Sequence, residues 1–413
     1  MALGRVLKNI RVARGLSREA VAGTEYSVSH LAAVEQGVKR PSIRMLIHVA
    51  DKLRVSLEML VPEVMEHNIP VPEKIRLARA LCREAKYDLA MNILTEARDE
   101  DESGGGQYRV DRLDTEAYVE CLRGNYERAI DLYSKVGRIR ERGGNSYLTA
   151  QAYYGLGEVE MKRGRFERAS HWLFLAWDRL GPEAAEHTDF AVTILKCYAS
   201  VQIQMGRVIQ AQELYEMAAR YVDGDTDVLV GMGRSLRLQG KYEESLGYLK
   251  QAQRHAPASG DTDLMTEMAI NLRLSGRASE AIPLLDQAYT AAKRSPNNPL
   301  PVINEMIACL LDIDDTRMED IDKWQGLITE DLKGNASALE RARCLYLEAR
   351  ILYLRGRRSE ALGMAREAFE AASSESRQLG AEILASTLRM ARNSSDGIDV
   401  MDWAADNLVA VSN

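Results

Sequence analysis

The sequence predicts an all-α chain: a head of five short helices followed by a right-handed superhelical solenoid of helix pairs. Three observations carry this. First, a Gly-centred turn recurs between helical patterns, as Gly124-Asn-Tyr-Glu-Arg-Ala129, Gly164-Arg-Phe-Glu-Arg-Ala169, Gly206-Arg-Val-Ile-Gln-Ala211, Gly240-Lys-Tyr-Glu-Glu-Ser245, Gly276-Arg-Ala-Ser-Glu-Ala281 and Gly356-Arg-Arg-Ser-Glu-Ala361. An earlier variant, Ala85-Lys-Tyr-Asp-Leu-Ala90, lacks the Gly; the steps from it are 39, 40, 42, 34, 36 and 80 residues, the last being two periods. A period of this size marks a stack of helical repeats. Second, the chain holds only 10 Pro in 413 residues, as a nearly all-helical chain requires. Third, charge is split. Residues 1–60 hold ten Lys or Arg against five Asp or Glu, a net of +5, and the whole chain is -7, leaving -12 for the remainder. A small basic head on an acidic body expects a polyanion at the head.

In chain order, residues 3–14 place Leu3, Val6, Leu7 and Ile10 on one helical face, and Gly15 ends that helix. Ser17 is a fair N-cap for a short second helix ending near Gly23. A third follows Ser27 and stops at Gly37, a fourth spans 42–52, and a fifth begins at Ser56. Five short helices with a basic surface make a helix-turn-helix candidate for DNA binding. Glu35 reads as a tie between adjacent helices. Pro62, Pro70 and Pro72 break helix and mark a boundary at residues 62–72, with the head at 1–61 and the repeats at 73–413. Helix pairs are then expected at about 73–100, 108–142, 146–181, 187–222, 226–256, 261–295, 300–334 and 337–373. The pair at 300–334 has lost its Gly, and Asp312 to Thr316 fills the turn. A final pair, 380–393 and 397–411, should cap the stack with Met401, Trp403 and Leu408.

The head resembles the lambda-repressor/Cro type helix-turn-helix of the XRE family. The match lies in Leu16-Ser17, Ser27-Val-Ser-His-Leu31, Val34-Glu35-Gln36-Gly37, Arg40-Pro41-Ser42 and Leu53-Arg-Val-Ser-Leu57, over about residues 3–61, with one residue fewer than usual between Ala22 and Leu31. The resemblance implies that the helix from Ser27 enters the major groove. Ser27, Ser29 and His30 would then meet base edges or phosphates, Val28 could meet a thymine methyl, and Arg5, Arg14, Lys39 and Arg40 would attract the backbone. The pairs resemble tetratricopeptide repeats, best in Tyr154-Gly-Leu-Gly157 to Ala169 and Gly231-Met-Gly233 to Ser245. A head and eight or nine such repeats together resemble the Rgg/NprR/PlcR/PrgX peptide-sensing regulators of Gram-positive bacteria. That resemblance implies a homodimer whose repeat groove binds a small peptide.

Tetratricopeptide geometry turns fixed positions before each Gly toward the groove. Counting back gives Tyr154, Glu158 and Lys162; Lys196 and Gln204; Arg234 and Arg237; Arg273; and Tyr346 and Arg350, with Asn304 as a peptide-clamping candidate. Lys and Arg gather here although the body is acidic, which expects an anionic effector such as a peptide carboxylate. Enzyme chemistry has no support: there is no phosphate-binding Gly-x-x-x-x-Gly-Lys-Ser/Thr, no His-Glu-x-x-His and no Gly-x-Ser-x-Gly, and the six His are dispersed. No metal or other cofactor is expected. Cys82, Cys121, Cys197, Cys309 and Cys344 have no metal-ligand spacing, and an odd number without a signal peptide expects a reducing cytoplasm. No apolar stretch approaches a membrane span. The expected function is sequence-specific DNA-binding regulation with effector sensing. The alternative is an adaptor that holds a protein partner in the groove.

Overall fold

The computed structural model describes residues 2–60, 62, 69–255, 261–293, 298–313, 317–329, 334, 336–373 and 377–391. Among them every regular element is helical. The expected cap at 397–411, with Met401, Trp403 and Leu408, lies outside the described residues. Packing divides the chain into two compact units, one of residues 1–163 with 171–180, the other of residues 164–170 with 181–413.

The head contains α1 (Ala2–Ala13), α2 (Arg18–Ala22), α3 (Val28–Glu35) and α4 (Ile43–Leu53), then a 3₁₀ turn, Leu57–Met59, in place of the expected fifth α-helix. A serine opens each element after the first. The Ser17, Ser27, Ser42 and Ser56 hydroxyls accept from the amides of Ala20, His30, Met45 and Glu58, satisfying donors that a helix start leaves unpaired. Leu7, Leu31, Val34, Ile43, Leu46, Val49 and Leu53 form the head's core. Gly4 lets α1 approach α3 closely, since a Cβ there would run into the Val34 carbonyl. Arg11 on α1 turns inward and is buried.

The same apolar core continues into α5 (Val71–Arg83) and α6 (Tyr87–Ser103) through Ile75, Leu77, Leu81, Ile93 and Leu94. A polar clamp closes this joint. The Glu84 carboxylate accepts from Ser56 Oγ at 2.6 Å and from the Leu57 amide at 2.9 and 3.0 Å, and Lys86 pairs with Glu58 at 2.6 Å. The described non-Gly residues with positive φ, Arg54 (51°) and Ala85 (56°), flank the clamp on its two sides.

The first unit continues with α7 (Arg109–Leu122), α8 (Tyr126–Arg142) and α9 (Ser146–Lys162). Helix α10 (Phe166–Leu180) follows. The second unit carries the pairs α11 (Thr188–Gln204) with α12 (Val208–Ala219), α13 (Thr226–Leu238) with α14 (Tyr242–His255), and α15 (Thr262–Leu274) with α16 (Ala278–Ala292). Then come α17 (Leu300–Ile313) with α18 (Met318–Gln325), α19 (Ala338–Leu354) with α20 (Arg358–Ser373), and α21 (Arg377–Ala391).

The recurrent Gly does what its position requires. Gly124, Gly164, Gly206, Gly240, Gly276 and Gly356 have φ between 72° and 81°, and Ala85 takes the same left-handed region without a Gly. The next residue's amide then reaches back to close the helix end: Arg207 to Gln202, Lys241 to Leu236, Arg277 to Leu272 and Arg357 to Leu352, all at 2.8–3.0 Å. The small residue five positions on, Ala129, Ala169, Ala211, Ser245, Ala281 or Ala361, is fully buried, which permits close helix approach. The pair without Gly compensates with an apolar α17, buried from Val302 to Leu311, and with Trp324 set edge-on to Tyr289 at 4.9 Å.

Candidate functional site

On the head the start of α3 is exposed, and so is a set of cations. Arg5, Lys8 and Arg14 on or beside α1, Lys39 and Arg40 after α3, and Arg44 on α4 are all exposed. None of them forms an ion pair among the described residues. The loop that carries Lys39 and Arg40 is held under the end of α3, where Val38 and Lys39 amides both donate to the Ala33 carbonyl at 2.9 and 3.1 Å. Counting on family-matched positions had left out Lys8 and Arg44; their exposure is what brings them in.

Behind that surface, Glu35 is the pin. Arg11 donates to its two oxygens at 2.5 and 3.0 Å, and Arg18 donates at 2.8 Å. Burial pushes the Glu35 carboxyl up, but the two guanidiniums outweigh that and hold it below the ordinary glutamate range. One carboxylate thereby joins α1, α2 and α3, the tie expected of it.

At the start of α3 the polar side chains are already engaged. Ser27 Oγ accepts from the His30 amide at 3.2 Å and lies 3.1 Å from Ser29 Oγ. The half-buried His30 ring sits edge-on to Tyr26, with centroids 6.1 Å apart. Val28 is 37% exposed. Of the residues expected to touch bases, Ser27, Val28 and Ser29 are therefore exposed together, while His30 is partly withdrawn.

The structure revises the electrostatics expected of the repeats. In the second unit the cations counted on the first helices are matched by carboxylates of a neighbouring repeat. Lys196 on α11 meets Asp227 at 2.8 Å and Asp225 at 3.4 Å. On α13, Arg234 donates to Glu267 of α15 at 3.0 Å and Arg237 donates at 3.3 Å. Arg273 on α15 donates to Glu305 at 2.6 Å and to Asp312 at 3.1 Å, both on α17, and Arg350 on α19 reaches Asp312 at 2.8 Å. In the first unit Arg79 on α5 and Asp114 on α7 repeat the pattern.

One rung gathers three guanidiniums near one buried carboxylate. Burial pushes the Glu267 carboxyl up, but Arg234, Arg237 and Arg343 together hold it below its ordinary value. Burial first, then Arg234 and Arg343, pull the Arg237 guanidinium down against the attraction of Glu267. Its Nε is buried without a hydrogen-bond partner. Counting back from the turn found Arg234 and Arg237 but missed Glu267 and Arg343, because their register depends on how successive first helices pack.

Elsewhere the expected groove residues separate. On α9, Tyr154 and Glu158 are half-buried and Lys162 is exposed, at helical spacing along one face. Burial raises the Glu158 carboxyl, while the Tyr154 hydroxyl and Lys162 favour its charged form. Gln204 is exposed. Two of the expected residues are buried. Asn304 is fully buried and accepts from the Cys344 thiol at 3.2 Å. Tyr346 is buried among Leu362, Phe369 and Ile383, because α20 and α21 cover that side of α19. Among the described residues no three His, Cys, Asp or Glu side chains gather as a metal site, and no helix is long and apolar enough to cross a membrane.

Comparison with known proteins follows this division. The family described as a helix-turn-helix domain matches residues 2–61. No curated protein matches the sequence. Among solved structures, the apo form of the quorum sensor NprR from B. thuringiensis is similar, with 17% identity, a TM-score of 0.58, and coverage of 80% of this chain and 96% of that one. PlcR of Bacillus thuringiensis, in complex with the peptide PapR7 and DNA, is 15% identical with a TM-score of 0.35, covering 71% of this chain and 94% of that one. The chain is a helix-turn-helix head fused to a tetratricopeptide-like solenoid of helix pairs.

Proposed function

We propose that this chain is a sequence-specific DNA-binding transcriptional regulator that acts as a homodimer and whose repeats sense a small peptide. The observation that carries the first part is the set of exposed cations Arg5, Arg14, Lys39 and Arg40, none of them in an ion pair among the described residues, in a helix-turn-helix head whose α3 start is exposed. That geometry suits phosphates flanking a groove that admits one helix. A single small head reads few base pairs, so two heads on a two-fold operator account for specificity. The fold shared with a quorum sensor supports the sensing role.

Within the repeats, the rung of Arg234, Arg237 and Arg343 around Glu267 is the reading's effector site. The buried, unpartnered Nε of Arg237 beside the Arg234 guanidinium favours a second carboxylate, such as a peptide C-terminus. The effector would act by binding one conformation better than another.

The test begins with footprinting of the full chain on genomic fragments across a salt series. A protected site whose affinity falls steeply with salt is the expected result; equal binding to all sequences at every salt would sink the regulator reading. Short acidic peptides are then titrated. Arg237→Ala should abolish peptide binding, and Glu267→Gln should strengthen it by removing the internal competitor. Unchanged peptide affinity in both variants would rule out this rung.

A further inference from the structure

The helix aimed at the bases has almost nothing polar to offer them. Helix α3 reads Val-Ser-His-Leu-Ala-Ala-Val-Glu. It holds no Arg, Lys, Asn or Gln, the side chains that make bidentate contacts to guanine or adenine. Its acidic residue, Glu35, faces inward and is bound by Arg11 and Arg18. Leu31 and Val34 are buried. The Ser27 and Ser29 hydroxyls are joined to each other, and Ser27 caps the helix. What remains is the exposed Val28 and Ser29, with the half-buried Ala32 and Ala33 one turn on from them; His30, also half-buried, is set edge-on to Tyr26. Val38, beside Ala33 through its amide, is 75% exposed, the most exposed large apolar side chain among the described residues.

In the major groove the apolar group that distinguishes one base pair from the others is the thymine C5-methyl. We propose that this head selects its DNA chiefly through thymine methyls packed on Val28, Ala32 and Ala33, while the head's exposed cations supply affinity without sequence information. The inference rests on the DNA-binding reading and deepens it. It commits the operator to T·A pairs under α3, with no guanine there contacted through O6 or N7. It also separates two roles on one small surface: methyl contacts decide which sequence, and Arg5, Arg14, Lys39, Arg40 and Arg44 decide how tightly and with what salt slope.

The experiment uses the full chain and a duplex selected from a random-sequence pool. The selected half-sites should carry T·A pairs at the central positions. Those thymines are then replaced singly by deoxyuridine, which removes the methyl and leaves every hydrogen-bonding edge unchanged. Each contacted position should weaken binding about fourfold, the effect of one buried methyl-sized group. Val28→Ala should lose a similar factor on the thymine duplex and nothing on the matching uracil duplex, with the salt slope unchanged on both. Val28 is exposed at the first position of α3, so this variant keeps the fold, checked by an unchanged melting temperature. Equal affinity for thymine and uracil duplexes overturns the inference while leaving DNA binding intact. So does a loss in Val28→Ala that is the same on both duplexes. Failure to select any duplex, even at low salt, overturns the DNA-binding reading itself.

Discussion

At the scale of single residues, burial decides which groups are reactive and which are structural. Glu35 is withdrawn from water and bound by two guanidiniums that depress its carboxyl. Its contribution to stability is complete above the ordinary glutamate value of 4.5 and is lost as pH falls through the lower folded value. Glu35→Gln should therefore cost about 2 kcal/mol at neutral pH, with the gap to the parent closing below pH 4.5; urea unfolding across pH checks this. The thiols behave alike. Burial pushes Cys82 and Cys121 up to about 11, and raises Cys309 as well. A thiol reagent at neutral pH should modify the half-buried Cys197 first and leave the other cysteines unreacted until the protein unfolds. Sequence gave good access to this scale where a residue's role is local. The role of Glu35 and the serine starts at residues 17, 27 and 56 were readable because capping and helix tying act over a few positions. The burial of Asn304 and Tyr346 was not legible, because it is set by packing against neighbouring helices, which no local pattern encodes.

At the scale of elements, the repeat depends on small residues that let helices approach. Gly155 on α9 lies against the Tyr133 ring of α8, and Gly231 on α13 lies against the Tyr215 ring of α12; a methyl at either would overlap the ring. Gly231→Ala should destabilise by about 1–3 kcal/mol although Ala is the better helix former, because overpacking outweighs the propensity gain of about 1 kcal/mol. Thermal or urea unfolding measures it, and a stabilised variant would mean that Tyr215 can move aside. The ion pairs between first helices are a second element-scale device. Glu305 is fully buried against Arg273. Arg273→Ala should cost about 3–5 kcal/mol by leaving Glu305 unpaired, while Arg273→Met with Glu305→Leu should recover most of it. A double variant no better than the single one would show that the charges themselves are required. The Gly turns were legible because their backbone demand recurs at nearly fixed spacing. The carboxylate partners 30 to 40 residues away were not, since they depend on the register between repeats.

At the scale of the whole molecule, the two-part plan was legible from the charge split and the repeat, and the structure adds where packing joins the parts. Proline punctuation places a boundary at residues 62–72, yet the head's apolar core runs on into α5 and α6. Glu84, just past the end of α5, holds the amide of Leu57 and the hydroxyl of Ser56. A fragment ending at residue 69 should therefore melt well below one that continues through Ser103, as circular dichroism would record; equal melting would mean that the clamp adds little. The consequence reaches to how such proteins can be recombined. A head grafted onto foreign repeats at the proline-rich seam would arrive with the Leu57 amide unpartnered and part of its core bare. The unit that can travel intact from one chain to another is the head together with its first helix pair, and any lineage that exchanged heads by shuffling would have had to cut beyond α6.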